Sequence, residues 1–471
     1  MHDPGYETFL TRLKVHERIE PAALPRTPEK LLSMRLLLEA LGHPERAYRV
    51  IHVAGTNGKG LTSAMIAELL RLEGHSVGLY TSPHVLDLRE RIQVDGAMVT
   101  PGVFSEVGMR VLDLAEPLRA HYTVSYFDLL TAMALEVFRT RQVTWVVLET
   151  GLGGRADATN AVDKDCAVLT RIGLDHQAVL GATLREIAWE KLGIARPGVP
   201  TILAGQPPEL GEWMSAELRR LGSPVVDTAG YGLEERFATG GIREPRVWVT
   251  WPGGVQFPVE LPLASPPLTV PRIACAVNAL ATGDSLLGAV NPAADEARRA
   301  AWVRAVVSVT LPGRLELRRN VRLRGTPGPR LARVVLDGGH NADALEALAE
   351  QLKSWALEGY TLLLSLQGDK LVEAVRGPLA RLLAGAERLL LLAPNSPRAP
   401  SPEQFARFLT HLPGHQGSWP APERMTHPEA ALRAALETPE RPLVACGSFW
   451  MLGDLMPLLV CDEEEAPLGA A

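Results

Sequence analysis

The sequence predicts an α/β protein of two domains: a large one with a mostly parallel sheet and a β-rich insertion, then a smaller α/β domain. Three observations lead there. The chain has 471 residues, and at about 150 residues per domain this is too much for one ordinary core. Short β-rich runs alternate with stretches of helical periodicity in both halves, the rhythm of parallel sheets covered on both faces. Between the halves, residues 225–270 change to glycine, proline and alternating β-type residues such as Arg246-Val247-Trp248-Val249-Thr250-Trp251, a hairpin texture.

Taken in order, Arg49-Val50-Ile51-His52-Val53-Ala54 is a strand closed by Gly55, and residues 62–72 carry apolar side chains at helical spacing until Gly74 stops them. Residues 76–80, 144–148 and 167–170 read as further buried strands, with a helix over 127–139. A junction is expected near Pro312-Gly313, which divides the chain into 1–308 and 309–471. Beyond it, strands at 333–336, 360–366, 388–391 and 443–445 alternate with helical stretches such as 344–355. The tail Asp462-Glu463-Glu464-Glu465 reads as solvated.

Composition narrows the function. An apolar fraction of 46% with 22% charged residues is that of a soluble globular chain, so collagen, coiled coil and disorder are set aside. The formal charge of -6 gives no overall field for coating nucleic acid or acidic membrane. Cys166, Cys275, Cys446 and Cys461 lie far apart, suggesting neither a disulfide framework nor a cysteine zinc site. Met1-His2-Asp3-Pro4-Gly5 has no secretory pattern and no apolar run is long enough to span a bilayer, so the cytoplasm is expected. Only seven of the 48 basic residues are lysine, at 14, 30, 59, 164, 191, 353 and 370. Where arginine is the default cation, a lysine inside a motif calls for a chemical reason.

Lys59 is such a lysine. Gly55-Thr56-Asn57-Gly58-Lys59-Gly60 follows a strand and opens a helix, so backbone N–H groups can converge on a phosphate at the positive helix end while the ammonium supplies a full charge. Gly60 stands where a serine or threonine normally follows the lysine, and the usual magnesium-binding hydroxyl must come from elsewhere. Glu149 ends the apolar strand Trp145-Val146-Val147-Leu148, at the carboxyl edge where ligands of parallel sheets bind. It is a candidate magnesium ligand, although a strand-end glutamate alone could equally face water.

Together these segments resemble the Mur ligase superfamily and, within it, the folylpolyglutamate synthase and dihydrofolate synthase family. The resemblance is carried by the phosphate loop, Tyr80-Thr81-Ser82-Pro83-His84, Glu90-Arg91-Ile92, Tyr126-Phe127-Asp128-Leu129-Leu130-Thr131-Ala132 and the run from Leu148-Glu149-Thr150-Gly151 through Gly154-Arg155-Ala156-Asp157-Ala158-Thr159-Asn160. Ile172-Gly173-Leu174-Asp175-His176, Glu190-Lys191-Leu192-Gly193-Ile194, Pro312-Gly313-Arg314-Leu315-Glu316, Leu336-Asp337-Gly338-Gly339-His340-Asn341 and Cys446-Gly447-Ser448-Phe449 follow in the family's order. The match spans residues 50–450.

The resemblance implies a P-loop ATPase domain and a Rossmann-like C-terminal domain. It implies a ligase that phosphorylates the carboxylate of dihydropteroate or a reduced folate with ATP and passes the acyl group to L-glutamate. Lys59 and the loop residues Gly55, Thr56, Asn57, Gly58 and Gly60 would hold the nucleotide with Asn278, Arg314, Asp337 and His340, the last three closing on it from the smaller domain. Ser82, Glu149, His176 and Lys191 would hold two magnesium ions, with Lys191 converted to an anionic ligand by a carbamate, and a monovalent cation is a further expected group. Lys59, Lys191, His176 and Arg314 are the implied catalytic residues. Ser125, Phe127, Gly154, Asp157 and Ala158 fall at the pterin side.

Without the resemblance, Phe127 would be a core residue, Lys191 a helix-surface lysine near Glu186 or Glu190, and Asp337 a helix cap. Three departures stand out: Leu61 after Gly60, Asp128 where glutamate is commoner, and no His-Gln ahead of Asn278. A monomer is expected. A cell-wall amino-acid ligase is the neighbouring alternative, which Phe127 and Asp157 disfavour. A phosphate-loop nucleotide switch is the alternative from another class, and it leaves Asp337 and His340 unexplained.

Overall fold

The computed structural model describes residues 4–18, 28–236, 246–261, 268–287, 296–326, 328–394, 399–414 and 419–461. The chain divides into two compact units, Met1–Pro83 with Arg89–Val309, and His84–Leu88 with Thr310–Ala471.

The first unit is organised by β1 (Arg49–Ala54), whose residues after Arg49 are all buried. Around it lie β2 (Val77–Tyr80), β3 (Ile92–Val94), β4 (Ala97–Met98), β5 (Trp145–Glu149), β6 (Cys166–Leu169), β7 (Thr201–Leu203) and β8 (Val225–Asp227). Their order is β4-β3-β2-β5-β1-β6-β7-β8. The strands from β2 to β8 in that order are parallel, and only β3 and β4 run antiparallel at one edge. Every residue of β2, β5 and β6 is buried, which explains their unbroken apolar sequences: helices cover both faces.

The hairpin segment expected from residue 225 starts later. Val225–Asp227 joins β7 in parallel register, because the helix Pro208–Leu221 returns the chain as one more crossover. The β-rich insertion is the antiparallel trio β9 (Gly232–Arg236), β10 (Arg246–Trp251) and β11 (Val255–Glu260); residues 237–245 and 262–267 lie outside the described ones. Val247, Val249, Trp251, Phe257 and Val259 are buried on one face, the alternation expected of a half-covered sheet. Asp284 pins it to the helix Val270–Leu287, its Oδ2 accepting from Tyr231 Oη at 2.7 Å and from Trp251 Nε1 at 2.5 Å.

The second unit holds β12 (Glu316–Leu323), β13 (Leu331–Asp337), β14 (Tyr360–Leu364), β15 (Ala386–Leu392), β16 (Pro422–Met425), β17 (Leu443–Cys446) and β18 (Leu459–Val460). They are ordered β16-β15-β14-β17-β13-β12-β18. The first five are parallel, β12 runs antiparallel to them, and β18 pairs antiparallel with β12. Val85, partly buried, packs against this unit's core cluster. The acidic tail at 462–465 lies outside the described residues. Among the described residues no helix is long and apolar enough to cross a membrane.

Close packing gives a test of the first unit. Phe138, on the helix Tyr126–Thr140, is fully buried over Gly78 of β2, where a Cβ would lie 2.5 Å from its ring. Gly78→Ala is expected to destabilise this unit by about 1–3 kcal/mol through overpacking, and Gly78→Ala with Phe138→Leu to recover part of that loss; thermal unfolding midpoints measure both.

Candidate functional site

The phosphate loop has the shape its glycines dictate. Gly55 approaches Thr170 so closely that a Cβ would lie 1.8 Å from Oγ1, and Gly58 sits at φ 83° capping the helix Lys59–Leu72. The backbone N–H groups of Thr56 and Asn57 donate to Arg171 O at 3.0 and 3.3 Å. Thr170 Oγ1 donates to Asn57 O at 2.8 Å, and Lys59 Nζ lies over the loop, 3.2 Å from Thr56 O. The helix Val270–Leu287 packs on the loop through Cys275, whose Sγ is 3.5 Å from Gly58 O. Three residues on, Asn278 is 2% exposed and its Oδ1 has no hydrogen-bond partner. Thr62 Oγ1 and Ser63 Oγ, buried in the first turns of the loop helix, are also unpartnered. Buried polar atoms rarely stay so without a ligand or water.

Glu149 completes this cluster. It is 2% exposed, and its Oε2 accepts from the backbone N–H of Ser82 at 2.8 Å. The same oxygen lies 3.3 Å from where a Cβ on Gly60 would sit. The missing loop hydroxyl therefore has a structural reason: the carboxylate takes up that space, and Ser82 stands beside it.

A second cluster is built on the loop 151–160. Gly154 meets the helix Leu184–Leu192 so tightly that a Cβ would fall 2.9 Å from Glu190 O and 3.1 Å from Lys191 Cα. Arg155 N donates to Glu190 O at 2.8 Å, and Lys191 itself is 4% exposed. His176 is exposed, precedes the short helix Gln177–Leu180 at φ 51°, and its backbone N–H donates to Asp175 Oδ1 at 2.8 Å. On the opposite side of the loop, Phe127 is half-buried, its ring against Gly151 and 5.8 Å from the Tyr80 ring. Ser125 is engaged in a capping box with Asp128, both oxygen contacts being 2.7 Å. Here the aspartate suffices because it closes on the cap. Ala158 is buried.

Asp157 accepts from Leu152 N at 2.8 Å, Thr159 N at 3.1 Å and Thr159 Oγ1 at 2.6 Å. A carboxylate has about four acceptor sites, so roughly one is left for a ligand. Behind it runs a buried polar chain absent from the sequence reading. Thr159 spends its proton on Asp157, so it must accept from His52 Nε2 at 2.7 Å. His52 Nδ1 then accepts from Lys164 Nζ at 3.1 Å. Lys164 also donates to Asn160 Oδ1 at 2.8 Å, as does Arg196 Nη2 at 2.8 Å. Every donor meets an acceptor with neutral His52. Burial first, then the nearby Lys164 and Arg196, lowers the His52 pKa well below 6.5; burial and then Arg196 likewise lower that of Lys164. The scarcity of lysine was a signal available in the sequence at Lys164; the partner, His52, could not be read there.

In the second unit the groups gather around Phe449. The Arg314 guanidinium lies 4.1 Å from the centre of its ring, and His340 meets it edge-on at 6.2 Å. His340 Nδ1 lies 3.0 Å from Gly338 O, so that nitrogen carries the proton. Asp337, at the end of β13, accepts from Leu315 N at 2.8 Å and Gly339 N at 2.7 Å. Burial raises its pKa against these bonds and the Arg314 charge. The sequence-predicted residues other than His176 thus fall into three clusters, two in the first unit and one in the second.

No family model matches the chain. It is 30% identical over 445 residues to the folylpolyglutamate synthase of Lacticaseibacillus casei, covering 88% of this chain and 91% of that protein. It is 34% identical over 333 residues to the dihydrofolate synthase/folylpolyglutamate synthase of Bacillus subtilis, covering 68% and 71%. Among solved structures, Mycobacterium tuberculosis folylpolyglutamate synthase complexed with ADP matches with a TM-score of 0.78 at 28% identity, over 96% of this chain and 98% of that one. E. coli FolC in complex with DHPP and ADP matches with a TM-score of 0.74 at 26% identity, over 95% and 97%.

The polar chain makes a pH prediction. Below pH 6.5 the unfolded chain protonates His52 while the folded one resists, so this residue's contribution to stability falls by about 1.4 kcal/mol per pH unit until its folded pKa is reached. His52→Gln keeps both hydrogen bonds without titrating. The stability advantage of the wild type over His52→Gln is expected to shrink at that rate between about pH 6.5 and pH 5, read from urea unfolding.

Proposed function

Since the chain belongs to the folylpolyglutamate synthase and dihydrofolate synthase family, we propose that its clusters serve one reaction: L-glutamate is joined to dihydropteroate, to a reduced folate, or to both. The protein is an ATP-dependent ligase of folate precursors. The γ-phosphoryl group passes to the substrate carboxylate, ADP leaves, and the glutamate amine attacks the acyl phosphate. A C–N bond forms, the C–O bond to phosphate breaks, and the amine gives up a proton. The observation that carries this reading is the Gly60–Glu149–Ser82 arrangement at the mouth of the phosphate loop.

Two anions, carboxylate and triphosphate, must be brought together, so cations and oriented N–H groups have to answer their charge. Lys59 and the amides of the loop are assigned to the terminal phosphates. Asn278, with its unpartnered buried Oδ1, is assigned to a donor on the base. Arg314, Asp337 and His340 are assigned to nucleotide binding from the second unit, within a functional division of 1–308 and 309–471. Phe127 offers its ring to the pterin, and Asp157 its remaining acceptor site, with Ser125, Gly154 and Ala158 shaping that loop.

The donor set fits magnesium. Glu149 is a buried carboxylate beside Ser82, and an oxygen donor of this kind suits a hard cation that also takes phosphate oxygens; the Ser82 hydroxyl and the His176 imidazole are assigned as its further ligands. Magnesium, when bound, supplies charge neutralisation of the phosphates. Lys191 is assigned as a fourth ligand after carbamylation, since an ammonium would be repelled by the cation. A monovalent cation completes the expected set. The chain is taken to act in the cytoplasm and as a monomer.

Purified protein with ATP, magnesium and L-glutamate, offered dihydropteroate and tetrahydrofolate separately, should yield products one glutamate heavier by mass. ATP hydrolysis indifferent to glutamate and pterin would instead identify a nucleotide switch. Lys59→Ala is expected to lower kcat by about 10²–10³-fold through loss of transition-state charge stabilisation. Lys191→Ala should abolish turnover, with partial return on adding a short carboxylate; turnover near wild type would sink the carbamate assignment.

A further inference from the structure

Lys164 is buried together with His52 and Thr159, and the reaction above gives it no task. Its partners fix its direction. Asn160 donates through Nδ2 to Arg155 O at 2.9 Å and to Gly193 O at 3.1 Å. Its Oδ1 therefore faces Lys164 and Arg196 and accepts from both. On its other side Lys164 Nζ lies 3.1 Å from His52 Nδ1. A methionine would fill much the same space with no polar group to satisfy, whereas a buried amine is tolerated only while its hydrogen bonds are made. What the lysine adds over such a side chain is direction. Every residue of the relay belongs to the first unit.

That direction is passed from group to group. A neutral imidazole that accepts at Nδ1 carries its one proton on Nε2, and here it donates to Thr159 Oγ1 at 2.7 Å. The hydroxyl, accepting on that side, sends its own proton to Asp157 Oδ1 at 2.6 Å. Thr159 N donates to the same oxygen at 3.1 Å, so both acceptor directions of Oδ1 are taken. Oδ2 accepts from Leu152 N at 2.8 Å and keeps one direction open. The opposite tautomer would set an acceptor on each side of the Thr159 hydroxyl with one proton to share between them. We propose that Lys164 and His52 are positioning residues for the substrate: by holding the imidazole in its Nε2–H form they keep Oδ1 of Asp157 saturated, so that the carboxylate meets one substrate N–H through Oδ2. The substrate part of this inference rests on the assignment of Asp157 to the pterin, whereas the tautomer and the saturated oxygen do not.

Nitrogen NMR of the full chain labelled at histidine reads the tautomer directly. Wild type should show His52, identified by its loss in His52→Gln, with Nε2 protonated and Nδ1 bare; a protonated Nδ1 overturns the proposal. Lys164→Met should lose that single tautomer and raise KM for the pterin substrate about tenfold, the loss expected for one hydrogen bond, with KM for ATP unchanged. His52→Leu should raise the same KM by a similar factor. His52→Gln, whose amide donates to Thr159 and whose carbonyl accepts from Lys164, should keep the wild-type value. Both His52 variants alter the core but only one alters the direction of the relay, so a merely structural role predicts no such split. Should Lys164→Met fail to fold, the wild-type spectrum and the His52 pair decide alone. A pterin KM raised equally in both His52 variants, or in neither while Asp157→Ala raises it, overturns the positioning role. A pterin KM unmoved by Asp157→Ala as well removes the pterin assignment of Asp157, and the positioning role with it.

Discussion

The parallel register of three neighbouring strands is the constraint on which the first unit depends. Glu149 lies level with Val53 of β1, and Leu148 level with Tyr80 of β2. The loops leaving these strands therefore emerge side by side at one edge, with Ser82 hydrogen-bonded to Glu149 and Gly60 packed against the same carboxylate. A carboxylate at 2% exposure must be answered by donors or cations. Its neighbours follow from that demand. Position 60 has to lack a side chain, the backbone N–H of Ser82 arrives from the loop after β2, and Lys59 stands next to Gly60.

The loop 151–160 solves a different problem with a different device. It has to approach a helix at Gly154 and also hold its shape, and it does so by handing its polar groups to a buried relay ending in Lys164 and Arg196. Because the relay is satisfied with neutral imidazole, it provides rigidity without adding a charge at His52. Asp337 in the second unit shows the same economy: backbone N–H groups, rather than a salt bridge, carry most of its contact.

Much of this was readable in the sequence where chemistry is local. A glycine loop between a strand and a helix, a glutamate ending an apolar run, and lysines in an arginine-rich chain each point to a role from a few adjacent residues. What escaped was long-range or context-bound. His52 and Lys164 are far apart in the chain, and only the β1–β6 pairing brings them together. Val225–Asp227 has the same β-branched composition in a hairpin as in a crossover strand, and the preceding helix decides which. The unpartnered hydroxyls of Thr62 and Ser63 look like ordinary helix residues until their surroundings are known. Phe9 gave no hint that it fills the space left by Gly108 on another helix.

The distribution of lysine has a practical consequence. Among the lysines whose side chains are described, Lys14 and Lys353 are exposed, Lys59 is half-buried, and Lys164, Lys191 and Lys370 are buried. To an amine-directed reagent the surface is therefore nearly blank. Among the described lysine side chains a covalent label therefore meets a sparse reporter set: two amines that read solvent, one in the glycine loop that reads its surroundings, and three that become visible only when the fold opens.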